Sequence, residues 1–271
     1  MIHGAQSARR IFRSLQFGLD VQFALASLDF EYGQGVFGPK PEARSLDAIR
    51  KSLRDPTCQG PDPVYNIAMD VGRIEHRTRL NEKMLLFGVV AYANGQLGDE
   101  PVRSQGHVHA VSPHSGWSAP ELFEIWHGSA IIYGQEKSGD DPGRCIAVRA
   151  EKGDTVVMPP RWAHCVINAN PESKMIFAAW CDRQYGFEYD QVRSHGGLAW
   201  FPVLSDGSSL TWEPNPRYSS SELKRRNART YPELGLEPGI PIYELFAKNS
   251  ESVGWVSEPS RFSSLWQEFE P

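Results

Sequence analysis

A chain of 271 residues with 40% hydrophobic residues and eight tryptophans has enough apolar material for a substantial core. A formal net charge of −5 and a pI near 5.9 argue against a general nucleic-acid binder. No apolar run approaches the ~20 residues of a transmembrane helix, so no membrane partner is expected.

Residues 1–6 lack an apolar secretory segment, and Arg9, Arg10 and Arg13 start a short basic helix predicted over 9–16. Residues 28–32 alternate as a strand. Ser45 caps a helix predicted over 45–53. Residues 64–71 form a strand bounded by Asp62-Pro63 and Gly72. From about 80 to 215 the chain is a series of short β runs separated by Gly, Pro, Asp and Asn: 85–93, 122–133, 145–149, 155–158, 165–168 and 175–181. Regular short strands of this kind predict a sandwich or barrel. The tail from Tyr218 is polar, and Ser219, Ser220, Ser221 and Glu222 read as a helix start. Leu265, Trp266 and Phe269 at helical spacing predict packing against the body. Three parts follow: an N-terminal extension 1–24, a barrel 25–218 and a C-terminal extension 219–271. Cys58, Cys145, Cys165 and Cys181 show no paired spacing, which predicts reduced thiols in a cytoplasmic protein.

The chemistry concentrates in the barrel. His107 and His109, at i and i+2 of a strand, point to one face and can grip one ion. Glu121, at the start of the next apolar run, adds an oxygen ligand, and His164 follows the turn at Pro159-Pro160. Three imidazoles and a carboxylate suit Fe, Mn, Ni, Co or Zn without selecting among them, and leave two positions on a six-coordinate metal. Other polar residues read as structural. Cys165 faces away from the neighbouring His164. Glu124 and His127 point away from the metal. His114 lies in a solvated loop, with a fifth ligand or a substrate contact as its alternative. His195 sits in a turn near the barrel mouth, and His3 and His76 have no assigned role.

These residues resemble the motifs of the cupin-type glucose-6-phosphate isomerases. Gly106-His107-Val108-His109, then Pro120-Glu121-Leu122-Phe123 with Gly128 in the turn, is similar to their first motif. The run from Lys152-Gly153 through Pro159-Pro160-Arg161-Trp162-Ala163-His164 is similar to their second. The resemblance spans roughly 25 to 218. It implies an all-β cupin fold, a double-stranded β-helix or jelly-roll barrel, here with short N- and C-terminal helical extensions. It implies a homodimer, and one divalent metal per chain (Fe, Mn, Ni or Zn) held by His107, His109, Glu121 and His164. It also implies aldose–ketose isomerisation of a sugar or sugar phosphate. In that reaction Glu121 acts as base through an enediol, or the hydrogen shifts directly between carbons. Glu121 and Tyr189 are the expected catalytic residues.

Departures from the family pattern concern the substrate. Phe123 stands for a tyrosine and Val90 for a threonine. Trp180 and Phe187 replace a tyrosine and a histidine, while Tyr189 keeps its type. Expected substrate contacts are Arg103, Ser104, Gly106, Phe123, Trp180 and Tyr189. Arg103, in alternating register with Gln105, His107 and His109, is expected to face inward and, with Arg161, to supply charge-assisted bonds. Two other readings stay open: a different metal-cupin enzyme such as a dioxygenase, and a sugar-binding cupin without turnover.

Overall fold

The apolar runs in the middle of the chain become two facing sheets. A computed structural model describes residues 11–205 and 209–271. The larger sheet has the strand order Thr155–Met158, Glu121–His127, Met175–Asp182, Leu85–Tyr92, Tyr65–Met69, Glu42–Arg44. The smaller has the order Ala163–Asn168, Ser129–Gln135, Cys145–Glu151, Leu223–Asn227. Every pairing in the two sheets is antiparallel except the last, which is parallel. Side chains from the inner faces of both sheets enclose one cavity. This is the all-β double-stranded β-helix of a cupin.

The outer face of the larger sheet is covered as well. The small sheet of Ile11–Arg13, Val21–Ala24 and Phe30–Tyr32 brings Phe23 against Trp126, and Phe17 stacks on the same indole at 5.4 Å. The helix Ile242–Lys248 brings Tyr243 onto Trp180 at 5.6 Å and onto Phe87 at 5.1 Å. With both faces covered, every residue of Leu85–Tyr92 and Met175–Asp182 is buried. Those strands therefore read as continuous apolar runs without polar alternation. Glu124 lies on this outer side, where its carboxylate accepts from Trp126 Nε1 at 2.8 Å and from the Ile242 amide at 3.1 Å. Burial pushes its pKa up to about 7. His127 packs on Phe12, also away from the cavity.

Four expectations about elements change. The single run 122–133 is two strands in different sheets, split at Gly128, whose φ of +74° turns the chain. A Cβ there would sit 2.7 Å from the Lys174 carbonyl oxygen, so only glycine fits. The helix predicted at 9–16 is instead a strand over Ile11–Arg13, paired with Val21–Ala24, followed by one turn over Leu15–Phe17; Arg9 and Arg10 lie outside the described residues. Arg13 closes this hairpin onto Asp20 at 2.7 Å. The helix start at Ser219 is a loop that leads into Leu223–Asn227, because the open edge of Cys145–Glu151 offers backbone partners that outweigh a local cap. The boundary at residue 24 falls inside the three-stranded N-terminal sheet, and the segment after 218 supplies a strand to the smaller barrel sheet. The helix at Ser45 does form, with Ser45 Oγ accepting from the Ala48 amide. Trp266 and Phe269 are buried as the tail packs on the body.

Candidate metal centre

His107 and His164 sit directly opposite each other on neighbouring chain segments. The His107 amide donates to the His164 carbonyl at 3.0 Å, and the His164 amide returns the bond at 2.9 Å. This two-bond pair puts both side chains on the same face, with ring centroids 4.5 Å apart. His109, two residues on, lies 5.1 Å from each of the other two rings. Glu121 opens the adjacent strand, and its Oε2 is 3.0 Å from His164 Nε2 and 3.2 Å from His109 Nε2. The candidate ligand atoms of His107, His109, Glu121 and His164 all fall within 4.8 Å of one another.

The second nitrogen of two rings fixes which way they face. His109 Nδ1 is 2.9 Å from the Ala119 carbonyl, and His164 Nδ1 is 3.0 Å from the Trp162 carbonyl. A carbonyl only accepts, so each Nδ1 carries a hydrogen and each ring turns its Nε2 to the centre, that of His164 3.0 Å from Glu121 Oε2. The Nε2 atoms of His107 and His109 are buried without a hydrogen-bond partner. Burial, then the neighbouring His164 and His109, push the His107 pKa well below its usual value, so that ring is neutral near pH 7. Burial alone would raise the Glu121 carboxyl, but His109 and His164 outweigh it and hold the group ionised. Three ring nitrogens turned toward a carboxylate, two of them buried without a hydrogen-bond partner at about 1–3 kcal/mol each, form an arrangement that a divalent cation would satisfy. The residues present therefore fit the metal that the fold implies. Cys181, one step past the Leu122–Trp180 pair and on the cavity side, donates its thiol hydrogen to Glu121 Oε1 at 3.4 Å.

A cavity open to solvent lies next to this cluster. Of the expected substrate contacts, Ser104, Phe123 and Tyr189 line it. Ser104 Oγ accepts from the Val166 amide. Gly106 does not line the cavity; at φ +87° and packed on Leu198 it is the turn that aims His107. That left-handed residue also breaks the alternation read from the sequence. Ser104, Gln105 and His107 all reach the cavity, and Arg103 does not.

Arg103 pairs instead with buried Glu100, and its remaining donors bond the Ser52 carbonyl at 2.7 Å and the Ser104 carbonyl at 3.0 Å. Trp180 is likewise corrected. It pairs with Leu122 on the outer face, while its neighbour Ala179 takes the cavity side, and its Nε1 donates to the Ile242 carbonyl. Arg161 is exposed over Trp117, and His114 is exposed in its loop. His195 is turned to Asp140 and Tyr218, and Cys165 packs with Tyr133 and Ile167. The loop between His109 and Glu121 contributes no side chain to the cavity wall; its contribution is the Ala119 carbonyl that orients His109.

Sequence reasoning missed Arg44, Tyr65, Gln105 and Cys181. Arg44 is in a strand, Glu42–Arg44, that too few residues announce, and it pairs with Tyr65 across 21 positions of chain. For Cys181 a signal existed: alternation with Ala179 puts it on the face opposite Trp180.

The family described as "Glucose-6-phosphate isomerase (GPI)" matches residues 45–217, well over half of the chain. A glucose-6-phosphate isomerase of Sinorhizobium medicae is 29% identical over 163 residues, covering 59% of this chain and 69% of that protein. One of Thermococcus gammatolerans is 27% identical, covering 64% of this chain and 79% of its own. One of Pyrococcus furiosus is 26% identical, covering 70% of this chain and 94% of its own.

Proposed function

The chain belongs to the glucose-6-phosphate isomerase family, and from that premise we propose that it interconverts glucose 6-phosphate and fructose 6-phosphate, or a closely related aldose–ketose pair, with one divalent metal held by His107, His109, Glu121 and His164. The observation that carries the reading is the convergence of three imidazoles and one carboxylate beside a cavity that His107, Glu121 and His164 line. Fe, Mn, Ni and Zn all suit this donor set. Among the described residues no helix is long and apolar enough to cross a membrane. A homodimer is the assembly we assign, to be checked by light scattering of the eluted protein.

When bound, the metal supplies Lewis-acid stabilisation of charge developing on substrate oxygens. The chain does the rest. Isomerisation moves one hydrogen between C1 and C2 and one proton between their oxygens. Val90, Phe123, Phe177 and Phe187 give the cavity an apolar wall that excludes water from the reacting carbons. Both Glu121 oxygens are already engaged, Oε2 beside two imidazoles and Oε1 under the Cys181 thiol. That arrangement supports Glu121 as a ligand and leaves it poorly placed to shuttle a proton, so the carbon-bound hydrogen passes directly between C1 and C2. Tyr189 stands with its ring 6.1 Å from the His107 ring. Burial pushes the Tyr189 hydroxyl up against the opposing pull of Arg44 and Arg193, so it stays protonated. It is the group assigned to hand the proton from one substrate oxygen to the other.

The test is proton NMR of the metal-loaded protein incubated with fructose 6-phosphate in D2O. The expected result is glucose 6-phosphate with no deuterium on C2. Deuterium at C2 would return Glu121 to the role of base. No product from protein carrying one metal per chain would overturn the isomerase reading and turn the search to unphosphorylated sugars and oxygen uptake.

A further inference from the structure

Of the arginines and lysines of the described residues, Arg44 alone lines the cavity. Its surroundings differ from those of a structural arginine. Arg103, the buried arginine of the same barrel, spends its donors on Glu100, Ser52 and Ser104. Among the described residues, no carboxylate lies within 4 Å of the Arg44 guanidinium, which rests against the Tyr65 hydroxyl on the neighbouring strand. A partly exposed guanidinium at a cavity wall, with no carboxylate partner among the described residues, keeps donors that an anion in the cavity can accept from.

The neighbourhood is positive beyond Arg44. The Arg193 guanidinium stacks over the Tyr189 ring at 4.8 Å, and Gln105 Oε1 accepts from its Nε at 3.0 Å. Tyr189 therefore has a guanidinium on its face, while its ring edge approaches His107. It spans the space between the metal cluster and the two arginines. Tyr65, Tyr189 and Gln105 add polar groups around the same end, and the wall between is apolar.

We propose that Arg44 anchors an anionic group of the substrate, so that the cavity takes a phosphorylated sugar with its phosphate against Arg44 and Tyr65 and its carbonyl end at the His107–His109–Glu121–His164 cluster. This deepens the isomerase reading and rests on it for the identity of the reacting end. A guanidinium matches a phosphate by parallel hydrogen bonds, which makes Arg44 the specificity-determining residue between phosphorylated and free sugars.

The test compares metal-loaded wild type with Arg44→Met and Arg44→Lys. For fructose 6-phosphate, Arg44→Met should raise KM by about tenfold to a hundredfold, as expected for loss of a hydrogen-bonded charge, with kcat falling less than KM rises. Competitive inhibition by inorganic phosphate should weaken in parallel, and Arg44→Lys should recover part of both. Circular dichroism and the thermal midpoint establish that the variants fold. An unchanged KM and unchanged phosphate inhibition in folded Arg44→Met would overturn the proposal, as would a loss confined to kcat. If wild type turns over no sugar phosphate, the isomerase reading has failed, and the anchor is judged by calorimetric titration with inorganic phosphate and glycerol 3-phosphate. Binding lost in Arg44→Met keeps the anchor; equal binding in both proteins overturns it.

Discussion

At one end of the cavity, His109 and His164 are each pinned by a backbone carbonyl, His107 and His164 are locked by a two-bond backbone pair, and Glu121 is held by its neighbours on both oxygens. At the other end, no carboxylate among the described residues pairs with Arg44, Tyr65 and Tyr189 come from distant segments, and Phe187 supplies an apolar surface. The side chains of the first end, which could hold a metal ion, are fixed by contacts within the protein before anything binds. The second leaves charge to be completed by the ligand. Chemistry and specificity are thus divided between a preorganised end and an adaptable one.

Substitutions should separate the two ends by size and kind of effect. At the metal end, Glu121→Gln removes the one negative ligand; bound metal and turnover should both fall, turnover on the order of a thousandfold, and metal analysis beside initial rates would check it. Retained metal with lost turnover would instead give Glu121 a chemical role. On the outer face, which serves neither end, Trp180→Ala should cost about 3–5 kcal/mol of stability by denaturant unfolding, while the KM of the folded fraction stays put. A selective KM change would return Trp180 to the substrate wall.

Glu124, behind the same sheet, gives a pH signature. Its folded pKa of about 7 lies above the ordinary 4.5, so the folded state holds the proton more tightly. The resulting stabilisation is complete below about pH 4.5 and is lost as pH rises toward 7, by about 3 kcal/mol in all. Glu124→Gln should flatten that part of the stability–pH curve. Cys181 sharpens the view of the metal end. Cys181→Ala should weaken metal binding about tenfold, with Cys181→Ser closer to wild type, as a hydrogen bond to a ligand predicts. Smallest of all, His114→Ala should leave metal content unchanged and rates within about twofold, since the ring is exposed and apart from the cluster.

The same contrast explains what was legible in the sequence. The metal ligands lie at i and i+2 of one strand, at the start of the next run and after a Pro-Pro turn, and each carries a side chain that is costly to bury without purpose. Their convergence could be read from spacing and motif. The far wall has no such local signature. Arg44 meets Tyr65 only through strand pairing, and Arg193 meets Gln105 only after the chain has closed the barrel. Three expected contacts lie off the cavity, Gly106 because it is itself the turn, and the other two have simple causes. The family resemblance puts Trp180 at the substrate, whereas strand alternation puts Ala179 and Cys181 inside. Arg103 was assigned by alternation, which Gly106 interrupts with a left-handed turn. The barrel strands were readable as apolar runs because both faces of the larger sheet are covered. The strands at either end of the chain are less legible: residues 11–13, in the small sheet over the larger one, and 223–227, at the edge of the smaller one, become strands by pairing with partners that local propensity does not reveal.

The most direct measurement is a metal titration of apo-protein with Mn(II) or Fe(II), reading bound metal and the initial rate of glucose 6-phosphate formation from fructose 6-phosphate in the same samples. The rate is expected to rise in proportion to bound metal, to level off at one ion per chain, and to be absent in His164→Ala at every metal concentration. Turnover without metal, or a fully loaded wild-type protein that leaves fructose 6-phosphate unchanged, would contradict this expectation.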